Sequence, residues 1–184
     1  DPYTAGHQRR VANLACTIAH KMGLSRKKIE SIKMAGLIHD LGKIYVPTEI
    51  LNKPGQLLDV EFNLIKEHPQ IAYDILKVLD FPWPIAEIIL QHHERLNGSG
   101  YPLGLKGEDI LLEARILGIA DVIEAMVFHR PYRAALGIEE ALNEIKVKRG
   151  ILYDPVVVDV CLEVLNKKNQ KAGMEMIFNR PVFE

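Results

Sequence analysis

Apolar residues recur at three- and four-residue spacing along nearly the whole chain, and no stretch alternates apolar and polar long enough to make a strand. That pattern predicts an all-α fold, because a helix is the element that gathers such a spacing onto one face. A first helix from about Thr4 to Met22 lines up Val11, Leu14, Ala15 and Ile18, and Gly23 stops it. Ser25 is placed to cap a second helix, with Ile29, Ile32 and Gly36 on its stripe and Gly42 at its end. Asp59 is placed to cap a third long helix running through Leu64 and Ile65 to His68, where Pro69 predicts a kink or a new start. Ile85, Ile88 and Ile89 mark the next helix, after Phe81-Pro82-Trp83-Pro84. The stretch Leu111 to Phe128 is apolar nearly all round, with Arg115, Asp121 and Glu124 among its few charges, which predicts a central buried helix. Two packing helices follow, Ile138 to Lys148 and Pro155 to Lys167, the second begun by Asp154-Pro155 as cap and first residue. One domain is expected over residues 1–170, with 171–184 an unassigned tail.

Those inward stripes are not purely apolar. His7 lies four residues before Val11, His39 seven after Ile32, and His68 and His92 continue the stripes of their own segments. Asp40 and His93 are immediate neighbours of two of these, and Asp121 sits inside the central apolar helix. A buried ionised carboxylate is costly unless paired or bound to metal. A His-Asp pair alone is equally a structural hydrogen bond, but five imidazoles and two carboxylates turned inward are hard to satisfy without a cation. Seven ligands exceed what one tetrahedral ion uses and suit two ions of mixed nitrogen and oxygen preference, such as Fe, Mn, Ni or Zn, with one Asp bridging. His20 and His129 fall outside the pattern.

Composition narrows the function classes. Lys plus Arg (23) nearly balances Asp plus Glu (24), a formal charge of −1, so no overall field favours DNA or an acidic membrane, and any phosphate binding must be local. No apolar run approaches a membrane span and no signal-peptide pattern opens the chain, so a cytoplasmic protein is expected. Cys16 and Cys161, far apart in apolar helical patterns, are expected as reduced, buried thiols. The chain starts without Met, almost at a helix start, and a longer protein with upstream domains is expected.

The motif His39-Asp40 with Gly42-Lys43, followed by His92-His93-Glu94 and then Gly98-Ser99-Gly100-Tyr101-Pro102, resembles the HD-GYP family of metal-dependent phosphohydrolases. The likeness runs from His7 to about Asp154-Pro155 and includes Ala120-Asp121 and Arg130-Pro131-Tyr132-Arg133. It implies an HD-domain helical bundle with a metal centre in its core, and hydrolysis of cyclic di-GMP to pGpG and onward to GMP. By that likeness His7, His39, Asp40 and Asp121 hold one metal, and His68, His92 and His93 the other, with Asp40 bridging. Two such ions clamp the attacking and departing oxygens of an in-line displacement at phosphorus. Lys43 is expected to stabilise a non-bridging phosphate oxygen, and Arg130 and Arg133 to take a second phosphate. Tyr101 is expected to line the guanine pocket or donate to phosphate, Gly98 and Gly100 to allow backbone approach, and Glu94 either to orient a histidine or to face water. The resemblance also implies diguanylate cyclase partners through the Gly-Tyr-Pro loop and an upstream sensory or receiver domain, and a homodimer is compatible with it.

Two positions depart from the family pattern. The usual Asp before Gly-x-Gly-Tyr-Pro is Asn97, which removes a charge while keeping the turn preference. The Glu that supports a third metal in some members is Tyr3 here, so two metals are expected. Alternative readings are another cyclic dinucleotide, such as cyclic GMP-AMP, as substrate, and a non-catalytic nucleotide- or partner-binding signalling module. The latter is expected to lack a ligand, and none of the seven is missing.

Overall fold

Gly23 and the Ser25 cap, whose hydroxyl accepts from the Lys28 N–H, separate a first helix, α1 (Pro2–Lys21), from α2 (Arg26–Ile38). The computed structural model describes residues 2–128 and 136–165, with side chains from residue 6 onward. After α2 come a 3-10 turn (Leu41–Tyr45), α3 (Thr48–Leu51), α4 (Asp59–Lys66), α5 (His68–Leu76) and α6 (Ile85–Gln91). A second 3-10 turn (Gly107–Asp109) precedes α7 (Leu112–Val127), and α8 (Ile138–Val147) and α9 (Pro155–Val164) complete the order. Every regular element among the described residues is helical, as the periodicity predicts.

The stretch that is apolar all round becomes the axis of the fold. α7 packs against α1, α2, α6, α8 and α9, so it has few faces left for polar residues. Ile116, Leu117, Ile119 and Ile123 of α7 are fully buried, against a core that includes Leu14 and Ile18 of α1, Ile32 of α2 and Ile88 and Ile89 of α6. α9 begins as expected: Pro155 opens it and the Asp154 carboxylate accepts the N–H groups of Val156 (2.8 Å) and Val157 (3.1 Å). Asp154 also receives Arg115 at 2.8 Å, tying α9 to α7. No described helix is long and apolar enough to cross a membrane. Both cysteines are free thiols, Cys161 buried and Cys16 half-buried.

Two expectations about element ends are corrected. α2 stops at Ile38, not at Gly42, and a 3-10 turn follows, which leaves His39 and Asp40 at the junction. Asp59 does not cap α4: Leu58 holds that position, and its backbone N–H donates to the Glu61 carboxylate at 2.7 Å. The third helix restarts after Glu67, the new start expected at Pro69, but its inward stripe does not hold: α4 buries none of its residues, Leu64 included. Pro69 accounts for the break, since it has no N–H to give to the carbonyl of Ile65. The short α3, inside the segment read as a loop, had no sequence signal beyond Pro47 before it. Lys167 and the tail lie outside the described residues.

Candidate metal centre

Three of the predicted ligands stand at helix ends, where backbone carbonyls lack the N–H partner one turn on. His39 follows the last residue of α2 and its Nδ1–H donates to the carbonyl of Gly36 at 2.8 Å. His92 follows the last residue of α6 and donates to Ile89 at 2.5 Å. His68 opens α5 and donates to Ile65 at 2.7 Å, taking the carbonyl that Pro69 cannot serve. Each donation fixes the tautomer with a bare lone pair on Nε2. His7, inside α1, reaches the same state differently, by donating Nδ1–H to the carboxylate of Glu124 in α7. Arg10 holds that carboxylate from the other side, Nε to Oε1 at 2.8 Å.

The result is a cluster of imidazoles with their free nitrogens inward. Nε2 of His7, His39, His68 and His92 is buried with no hydrogen-bond partner. Ligand atoms of His7, His39 and Asp121 lie within 4.8 Å of one another, as do those of His68, His92 and His93, and those of His39, Asp40 and His92. Asp40 stands between the first two groups: Oδ1 is 3.7 Å from Nε2 of both His39 and His68, and Oδ2 is 3.7 Å from Nε2 of His7. Gly42 makes this possible, because a Cβ there would fall 2.0 Å from the carbonyl oxygen of His68. The 3-10 turn therefore lies directly on the start of α5. Four desolvated imidazole lone pairs facing two carboxylates is a donor set that fits divalent cations, and all seven predicted ligands come together here.

Electrostatics keep four of these groups in their ligating forms. Burial raises the Asp40 carboxyl, but Lys43 and the imidazoles of His39, His68 and His7 outweigh it and hold it well below the usual carboxylate range. Burial lowers His68 to about 4 against the opposing pull of Asp40. His92 and His93 are held well below the usual histidine range by burial and by the neighbouring imidazoles. Neutral imidazole and ionised carboxylate are the states a metal needs. Lys43 Nζ sits 2.7 Å from Oδ1 and 2.8 Å from Oδ2 of Asp40, so its charge is already at the cluster.

Beside the cluster the Gly-Tyr-Pro loop folds back onto the end of α6. The Tyr101 ring stacks 4.7 Å from that of His93, and burial raises its hydroxyl above the usual range. Glu94 neither orients a histidine nor faces water. It is buried, and its carboxylate accepts the backbone N–H groups of Leu103 (2.7 Å), Gly104 (3.1 Å) and Leu105 (3.0 Å). Asn97 keeps the turn: its Oδ1 accepts from Ser99 N–H at 3.0 Å and Ser99 Oγ at 2.7 Å. A Cβ on Gly100 would meet Glu94 Cα and Arg95 N at 2.4 Å, so the close approach there is to the chain's own backbone. His20 is exposed on α1, away from the pattern as expected. Arg130, Arg133, His129 and the Tyr3 side chain lie outside the described residues. Sequence reasoning missed Glu124 and Glu94 as supports; the available signal for Glu124 was a carboxylate three residues after Asp121 in an otherwise apolar helix.

The sequence pattern of the HD domain family matches residues 1–157. The chain belongs to the HD-domain family. Its Gly-Tyr-Pro loop places it in the HD-GYP branch, as the motifs imply. It is 43% identical over 175 residues, 94% of this chain and 46% of the relative, to the cyclic di-GMP phosphodiesterase response regulator RpfG of Xanthomonas campestris pv. campestris. It is 39% identical over 141 residues, 77% of this chain and 33% of the relative, to the 3'3'-cGAMP-specific phosphodiesterase 1 of Vibrio cholerae. The chain thus spans less than half the length of these curated relatives. Among solved structures, the HDG"Y"P protein Bd1817 of Bdellovibrio bacteriovorus superposes with a TM-score of 0.72 at 24% identity, covering 88% of this chain and 52% of that one, which supports the HD-domain bundle.

Proposed function

We propose that this HD domain is a phosphodiesterase that opens cyclic di-GMP to pGpG and carries it on to GMP. The observation that carries the reading is Asp40, whose two carboxylate oxygens face members of both imidazole groups. The similarity to a cyclic di-GMP phosphodiesterase over 94% of the chain supports the choice of substrate. His7, His39 and Asp121 would hold one divalent ion, His68, His92 and His93 the other, and Asp40 both; imidazole suits Fe, Zn and Ni and carboxylate suits Mn, so the donor set admits all four, and Fe or Mn is proposed first, with Zn or Ni next. A pair of ions so held supplies Lewis acidity and an activated water.

The chain's own residues do the rest. Nδ1 donations to Gly36, Ile65, Ile89 and Glu124 fix the imidazole planes before anything binds. Lys43 offsets the negative charge that builds on a non-bridging phosphate oxygen. Tyr101, packed on His93, forms the wall against which the nucleotide lies, and Arg130 and Arg133 take a phosphate. The Gly-Tyr-Pro loop is in addition a surface for a cyclase partner, and loss of a pull-down on deleting it is the check. The similarity to a 3'3'-cGAMP-specific enzyme favours cyclic GMP-AMP as the second reading.

The test is anaerobic purification, elemental analysis, and incubation with cyclic di-GMP, 3'3'-cGAMP and cyclic di-AMP, read by chromatography. Two metal equivalents and fastest conversion of cyclic di-GMP are expected. Preferred turnover of 3'3'-cGAMP would transfer the assignment to the second reading, and binding without turnover would make the domain a signalling module.

A further inference from the structure

Lys66 ends α4, two residues before His68, and its ammonium lies over two aromatic rings. It is 4.7 Å from the ring centroid of Phe62 and 5.9 Å from that of Tyr101. The Tyr101 ring is itself 4.7 Å from that of His93, so one aromatic ring separates the ammonium from the cluster. Lys66 is half-buried, and among the described residues no carboxylate is paired with it. Lys43, Lys53, Lys77 and Lys148 each have one. The break at Glu67 sets the last turn of α4 beside the start of α5, where His68 is anchored to Ile65, which brings the Lys66 backbone close to the cluster.

We infer that Lys66 is a substrate-binding residue that takes the non-reacting phosphate of the cyclic dinucleotide, with Phe62 and Tyr101 as its platform. The inference rests on reading the site as a cyclic-dinucleotide phosphodiesterase. Such a ring carries two phosphodiesters, and only one can lie over the metal ligands and Lys43 at a time. The other has two non-bridging oxygens, so a cation at the edge of the site can share it with Arg130 and Arg133. An ammonium held over ring faces is partly stripped of water while its charge is left uncompensated, so an anion meets it at low desolvation cost. Phe62 is 43% exposed, which leaves open ring surface beside the cation for a nucleobase.

The experiment compares Lys66→Ala and Lys66→Arg holoenzymes with wild type, on cyclic di-GMP and on bis(p-nitrophenyl) phosphate, a diester with one phosphate. Elemental analysis controls for metal loading. With Lys66→Ala, KM for cyclic di-GMP is expected to rise about tenfold, and kcat/KM to fall several-fold more than it does for the nitrophenyl ester, as loss of one charge-assisted contact predicts. Lys66→Arg should recover most of the loss. Equal falls on both substrates, or no change in KM for cyclic di-GMP, would overturn the assignment while leaving the function standing. If wild type cleaves the nitrophenyl ester and 3'3'-cGAMP but not cyclic di-GMP, the substrate reading fails alone, and the same KM comparison on 3'3'-cGAMP decides Lys66. A wild type that turns over no cyclic dinucleotide overturns both.

Discussion

His7 donates its Nδ1–H to the carboxylate of Glu124, a residue 117 positions further along the chain. The pair joins α1 to α7, and Arg10 completes it by holding the other carboxylate oxygen. Burial raises the Glu124 carboxyl, but His7 and Arg10 lower it further, so it stays ionised. A carboxylate placed behind a metal-facing histidine both orients the ring and makes Nε2 a better donor.

Glu124→Gln is therefore expected to weaken metal binding at the His7, His39 and Asp121 group by about 10- to 100-fold, with the His68, His92 and His93 group little changed. Titration of chelator-stripped protein with Mn or Fe, followed by elemental analysis, should show one equivalent retained at metal concentrations that load two in wild type. Equal loading of both proteins would remove Glu124 from the site.

Asp40 and Lys43 touch each other, yet the proposed mechanism gives them different work. Asp40→Ala should lose bound metal and turnover together, since both imidazole groups lose the carboxylate between them. Full turnover in that variant would reject the two-metal scheme. Lys43→Ala should keep its metal and slow kcat by about 100-fold, the usual scale for removing one group that stabilises transition-state charge. Unchanged kinetics would leave Lys43 a structural partner of Asp40 only.

Glu94 predicts a stability effect. Replacing it with Ala leaves three backbone N–H groups of the Gly-Tyr-Pro loop without their acceptor, at a cost of about 2–4 kcal/mol, or a fall in Tm of about 5–10 °C. Because the same loop carries Tyr101, KM for the nucleotide should rise too. Thermal denaturation and kinetics on Glu94→Ala and the milder Glu94→Gln check both.

Metal-free protein should weaken in mild acid. His68 is lowered to about 4 when folded, from an ordinary value near 6.5, so between those values the unfolded chain binds the extra proton and stability falls as pH falls. Its contribution is fully present above pH ~6.5, and about 2 kcal/mol of it is lost by pH ~5. His92 and His93 act in the same direction. Urea denaturation of chelator-treated protein at pH ~8 and ~5 should show a lower midpoint in acid, and an unchanged midpoint would mean these imidazoles are not buried neutral.

The helical class, the central place of α7 and the inward turn of the seven candidate residues were legible because each rests on pattern within one segment. Helix ends were less so. His39, His68 and His92 lie where a helix stops or starts, not within a continuous stripe, and there the carbonyl three residues back is more open to an imidazole than inside the backbone ladder. Pro69 carried that information for His68; nothing comparable marked the end of α2 at Ile38.

What the amino-acid order determined alone was which residues face inward, since the 3.6-residue repeat is a local property and His, Asp and Lys chemistry travels with the letters. Which of them meet was decided by packing: Asp40 between two imidazole groups, Glu124 behind His7, Glu94 beneath the Gly-Tyr-Pro loop, Lys66 over Tyr101. Those contacts join different helices and loops, and no periodicity within one segment reports on the distance to another.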